Sequence, residues 1–198
     1  MVQIFDIECY QNYFGVQFKN VDTKEVKEFI IFEERNDFDK LIEFISNPHM
    51  WLVGYNNFNF DNQLLNFMYK RQFGLSRDTS DEICEQVYEL AKQIVADRSF
   101  GEYKYRLPFR SLDLMKLGAF YKSLKLVGVN LKWNKLQDLP IKWESKISKQ
   151  DLEVMHSYNL NDILITEQLY YYLLPEIRMR YDISLKYGVD AYSESRSG

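Results

Sequence analysis

The sequence predicts an α/β protein in which helices pack on a mixed sheet. Three apolar or alternating runs, residues 2–8, 13–18 and 26–32, follow one another at hairpin-like intervals. After them, short β-rich runs alternate with helical periodicity, the order expected of strands joined by crossover helices.

The elements follow in order. Residues 37–45 form a short amphipathic pattern ended by Asn47-Pro48. Residues 51–55 read as a brief apolar strand, and residues 60–73 as a helix with Asn59 as its cap. A further helix spans residues 81–97, with Ile83, Val87, Leu90 and Ile94 on one face. Residues 109–115 read as a strand, and residues 117–146 as irregular chain or short helices. Ser148-Lys149-Gln150-Asp151 has the form of a capping box, with Asp in place of Glu, opening a long helix. Pro175 is expected to interrupt the apolar run after it. The pattern divides the chain into a domain over residues 1–175 and a tail or start of a linker over 176–198.

The totals fit one domain. Of 198 residues, 46% are hydrophobic, enough for a sizeable core. Cys9 and Cys84 match neither a metal nor a disulfide spacing and fit a reducing compartment. The start lacks the basic and apolar regions of a signal peptide, and no apolar run approaches a membrane span. A soluble, cytoplasmic protein with no membrane partner is expected. The net charge of −4 argues against binding nucleic acid over the whole surface. The charge is unevenly placed: about −7 over residues 1–101, about +7 over 102–150 and about −4 beyond. Lys122, Lys125 and Lys132 lie in the basic middle, which is either a solvated face or a strand-binding border.

Four carboxylates stand out. In Phe5-Asp6-Ile7-Glu8 the two acids are two apart on a strand, so they project from the same face. Adjacent like charges repel unless a cation lies between them. In Gly54-Tyr55-Asn56-Asn57-Phe58-Asn59-Phe60-Asp61 a strand passes into a helix, a junction that can aim Asp61 over the sheet's edge. In Tyr158-Asn159-Leu160-Asn161-Asp162 the phenol and the carboxylate are four apart and share a helix face. The stripe of Leu152, Met155, Ile165 and Leu169 turns Asp162 inward, where a carboxylate needs a partner, a metal or a proton. Each stretch alone has an ordinary explanation: an acidic strand end, a first-turn acid on a helix dipole, one more core tyrosine.

In this order, Phe-Asp-Ile-Glu, Gly-Tyr-Asn-x-x-Asn-Phe-Asp and Tyr-x-x-x-Asp resemble the three motifs of the DEDD 3′–5′ exonucleases. The second motif is most similar to that of the proofreading domains of family B DNA polymerases. Ser111-Leu112-Asp113-Leu114-Met115, with the lysine-rich stretch after it, is similar to phage polymerases of that kind. The resemblance runs from Ile4 to about Leu174. One DEDD branch uses a histidine five residues before the last aspartate, where this chain has Ser157. His156 is one residue out of register, about 100° round the helix, and reads as a solvent or core histidine. Tyr158 stands where the tyrosine branch requires it.

The resemblance implies a ribonuclease-H-like exonuclease fold and a two-metal site using two Mg²⁺, or Mn²⁺. Asp6 would be shared by both cations, Glu8 and Asp162 would hold the one beside the attacking water, and Asp61 would support the second. Tyr158 would orient the water, since its ordinary pKa of about 10 makes it a poor base at neutral pH. Asn56 and Phe60 would contact the terminal nucleotides. The expected activity is metal-dependent removal of nucleoside 5′-monophosphates from single-stranded or frayed DNA 3′ ends, in proofreading beside a polymerase domain or subunit. A phage origin, and so a host cytoplasm, is implied by resemblance only. A standalone nuclease trimming DNA or RNA, and a silent domain that only binds nucleic acid or a partner, remain open alternatives.

Overall fold

The computed structural model of the chain describes residues 1–96, 109–118, 122–189 and 191. Strands β1 (Val2–Tyr10), β2 (Tyr13–Asn20) and β3 (Val26–Phe32) form the antiparallel meander that the first three runs predict. A two-residue strand, β4 (Arg35–Asn36), borders β3. On the other side of β1 lie β5 (Trp51–Gly54) and β6 (Arg110–Asp113), both running parallel to it. Among the described residues the sheet order is therefore β4-β3-β2-β1-β5-β6. The helices are α1 (Phe38–Ile45), α2 (Asp61–Lys70), α3 (Gln72–Leu75), α4 (Ser80–Ala96), α5 (Leu114–Leu117), α6 (Leu124–Asn130) and α7 (Leu152–Tyr187).

Alternation along β1 sorts its residues between two layers. Phe5, Ile7 and Cys9 enter one core with Phe14, Val16 and Phe18 of β2, under α1, α2 and α4. Ile4 and Tyr10 face the other layer, which α7 covers. On that face the apolar packing is split. Ile4 packs with Ile163, Leu169 and Leu173 of α7, whereas Tyr10 packs with Met155. Asp6 and Glu8 lie between these two clusters, under the middle of α7. At its far end α7 is tied to the β2–β3 hairpin by Glu167, which accepts from Lys19 at 2.6 Å and Lys24 at 2.9 Å.

Several boundaries differ from expectation. The helix read over 60–73 breaks at Arg71 into α2 and α3, and Asn59 does not cap it. Asn59 instead donates to Asn56 Oδ1 at 2.7 Å, inside the loop. The strand read over 109–115 stops at Asp113, whose carboxylate accepts from the Met115 amide and caps α5. Helix α4 is described as far as Ala96; Asp97 lies outside the described residues. Pro175 does not end α7, which continues to Tyr187. A proline leaves unbonded the carbonyl four residues back. Here that residue is the exposed Tyr171. The segment 176–198 thus begins as helix. The capping box at Ser148 is present, with Ser148 N and Oγ both donating to Asp151.

The chain between α6 and α7 has little regular structure, yet it is fixed. Tyr10 donates to the Ile141 carbonyl, and Asn12 exchanges two hydrogen bonds with Ile147 at 2.9 and 2.8 Å. Trp143 donates to the Cys9 carbonyl at 2.9 Å and its ring packs on Tyr88. This segment closes the β1–β2 hairpin end beside Glu8. No helix of the described residues is long and apolar enough to cross a membrane. Cys9 and Cys84 are buried free thiols.

Phe18 is fully buried and contacts the rings of Phe5, Phe29 and Phe44. Phe18→Ala is expected to lower the unfolding free energy by about 3–5 kcal/mol, read from denaturant titration. A loss below ~1 kcal/mol would show that this layer is not the main core.

Candidate metal centre

The β1–β5 pairing ends at Ile4 and Val53, because β5 stops at Gly54 while β1 runs on to Tyr10. Beyond that point β1 has an open edge. Because Met1 and Cys9 direct their carbonyls to that side, the alternation of the strand directs the Ile7 amide there as well. The Ile7 amide lies near enough to the Asp61 carboxylate, at the first turn of α2, to favour its charged form. The early end of β5 thus leaves the cleft, and Asp61 lies beside the open edge of β1.

Asp6, Glu8 and Asp162 meet in this cleft. One oxygen from each lies within 4.8 Å of the others, and all three residues are partly exposed. Such oxygens share a point no more than ~2.8 Å from each, so small adjustments reach the ~2.0–2.6 Å at which hard divalent cations bind oxygen. The donor set fits magnesium or manganese. Asp61 stands outside this trio but close enough for its charge to act on both Asp6 and Glu8.

The electrostatics follow from burial and like charge. Dense surrounding protein is the largest cause of a raised pKa at Asp6 and at Glu8, with repulsion from neighbouring carboxylates next. Burial likewise lifts Asp61 to about 7 and Asp162 to about 6. For Asp162 the nearby Tyr158 hydroxyl offsets part of the rise. The nearby Asn161 amide does so too, although its Nδ2 has no partner in good hydrogen-bond geometry. Burial, then the charge of Asp162, pushes the Tyr158 phenol well above its usual value. His156 serves elsewhere: its Nδ1 lies 2.6 Å from Glu28 Oε1 and 2.9 Å from Gln17 Nε2.

The loop carrying Asp61 is held by a residue whose role the sequence did not reveal. The buried Asp113 carboxylate accepts from the amides of Asn56 at 2.9 Å and Phe58 at 3.2 Å, as well as Met115. Asn56 has a left-handed backbone at φ 59°, which asparagine tolerates. Beneath it, Ser111 Oγ accepts from Asn57 and Asn62 and donates to the Leu52 carbonyl. A Cβ on Gly54 would come within 2.8 Å of Asn57 Cβ, so this packing requires glycine. An acid at the end of a strand, one residue before a helix, was the available signal for Asp113.

The weaker candidates are distributed around the cleft. Asn56 sits in the loop, while the Phe60 ring is half-buried against the sheet core. The Tyr55 hydroxyl donates to the Lys122 carbonyl at 2.6 Å, placing that lysine beside the loop. Lys125 is paired with Asp138, and Lys132 is exposed with a left-handed φ of 58°. Trp133 Nε1 donates to Asn161 Oδ1 at 3.0 Å, and Gln168 donates to the Leu131 carbonyl at 3.2 Å. These bonds hold the basic segment against α7 next to Asp162. Lys104 and Arg106 lie outside the described residues.

The raised carboxyl pKa values fix the sign of a pH dependence. Between the ordinary 3.8 and the value of about 7 for Asp61, the native state holds more protons than the unfolded chain, so stability falls as pH rises. In chelator, the melting temperature should drop between pH ~5 and ~8, and magnesium or manganese should raise it more at the upper end. Asp6→Asn removes one charge from the cluster and should raise the metal-free midpoint at pH ~8 by about 2–8 °C, corresponding to ~1–2 kcal/mol. A lower midpoint for this variant would mean the carboxylates do not repel one another.

No protein-family model matches the chain, and neither does any curated protein or solved structure. What the centre does has to follow from its own carboxylates and their surroundings.

Proposed function

We propose that the chain is a metal-dependent 3′–5′ exonuclease of the DEDD tyrosine branch, removing nucleoside 5′-monophosphates from single-stranded or frayed DNA ends. The observation that carries this reading is the meeting of Asp6, Glu8 and Asp162 within 4.8 Å, with Asp61 beside them. Four partly dehydrated carboxylates are costly to keep together without cations. The strand order, an antiparallel meander continued by two parallel strands, supports the ribonuclease-H-like sheet that the motif resemblance implies. Proofreading beside a polymerase domain or subunit is the biological setting we infer from the same resemblance.

Asp6 is placed to be shared by two cations, with Glu8 and Asp162 on the attacking-water side and Asp61 supporting the other. Two bound divalent ions would activate water and balance the charge that builds on the phosphate and the leaving 3′ oxygen. Water adds to phosphorus, the P–O3′ bond breaks, and the 3′ oxygen takes up a proton. Tyr158 stays a neutral phenol, so it would act by orientation from beside Asp162, four residues away on the same helix. The lysines of residues 122–135 would border the incoming strand.

Degradation of end-labelled DNA and RNA strands, with and without magnesium, tests the reading. Magnesium-dependent release of mononucleotides from the 3′ end is expected; no cleavage with either strand would overturn it. Asp6→Ala should cost about 10³-fold or more in single-turnover rate, because the shared ligand is lost. Tyr158→Phe keeps the ring and should cost about 10–10²-fold. Full activity in both variants would place the cleavage elsewhere. Neutralising Lys122, Lys125 and Lys132 together should weaken strand binding and flatten its salt dependence. Affinity that is unchanged at low and high salt would leave these lysines as a solvated face.

A further inference from the structure

We infer that Asn159 is a positioning residue for the metal centre, holding the Asp6 carboxylate in the orientation that cations require. The inference rests on the proposed two-metal reading. Asn159 is 3% exposed, in the middle of α7 between the two apolar clusters. Its Nδ2 donates to Asp6 Oδ2 at 3.1 Å. Among the described residues, no other side chain donates a hydrogen bond to Asp6. Its own Oδ1 is buried and has no hydrogen-bond partner.

That orphaned carbonyl oxygen is the informative part. A buried amide with only one end satisfied destabilises the fold, and a leucine of nearly the same shape would pack there without that loss. Asn161, two residues on, differs, because its Oδ1 accepts the Trp133 indole and so ties the basic segment to α7. Asn159 ties down nothing but Asp6. Its single bond occupies one lone pair of Oδ2 and restrains the rotation of the carboxylate. A carboxylate shared between two cations depends on that restraint more than its neighbours do. Groups that orient a metal ligand in this way typically change cation affinity or activity about 10–100-fold when removed.

The test uses Asn159→Leu, which keeps the shape, and Asn159→Ala, which only removes atoms. Manganese binding to the protein without substrate is measured by electron paramagnetic resonance, alongside the melting temperature in chelator and the manganese dependence of single-turnover cleavage. The expected result is a cation affinity about 10–100-fold weaker in both variants, with Asn159→Leu melting no lower than the original chain. Cleavage should largely recover at saturating manganese. A role in packing alone would lower the melting temperature and leave the affinity of the folded protein unchanged, and unchanged affinity in the folded variants overturns the inference. If the original chain binds no manganese and cleaves nothing, the proposed function falls as well; binding by the original chain that both variants match overturns the Asn159 role alone.

Discussion

Mutual repulsion among Asp6, Glu8, Asp61 and Asp162 is the constraint around which the α7 side of this molecule is arranged. Buried like charges cannot be held together by packing that touches them directly, so the apolar contacts are placed on either side. Ile4 and Tyr10 bracket the two acids of β1, and Ile163 and Met155 bracket the polar turn of α7. The N-terminal part of α7 is thus anchored on the sheet on either side of the acids.

The cleft itself comes from backbone geometry. β5 ends at Gly54 while β1 continues, and the open edge of β1 must be satisfied by something other than a strand. Asp61 and Trp143 lie along it from opposite parts of the chain, one beside the Ile7 amide and the other bonded to the Cys9 carbonyl. Asp113 then fixes the loop that brings Asp61 there, accepting backbone amides as a surrogate strand end would. A site residue, a loop-holding residue and an edge-sealing residue are thus consequences of the same early strand end.

Much of this was legible in the sequence, for identifiable reasons. The meander and the alternation of Asp6 with Ile7 follow from the period of a strand, and Tyr158 and Asp162 follow from the period of a helix. Those local rules pair Asp6 with Glu8 and Tyr158 with Asp162, and the packing of α7 on β1 brings the three acids together. What was not legible depends on contacts between distant segments. Asn59 looked like a cap because nothing local reveals that Asn56 would take its side chain. Pro175 looked like a stop because the tolerance of the helix depends on an exposed turn. Asn159 carried no pattern at all, since its meaning lies in Asp6, far away in sequence.

Residues 122–147, read from the sequence as irregular chain or short helices within the basic middle, are firmly held. The segment is fastened at one end by Tyr55 on the Lys122 carbonyl, in the middle by Asn161 on Trp133, and at the other end by Asn12 on Ile147. A chord pinned in three places has already lost its loop entropy when the chain folds, so ordering it costs little on meeting a ligand. Between the pins, residues can lengthen or change charge without moving a carboxylate. On the proposed function, substrate preference and catalysis would be carried by separate parts of the chain, and one could drift while the other stays fixed.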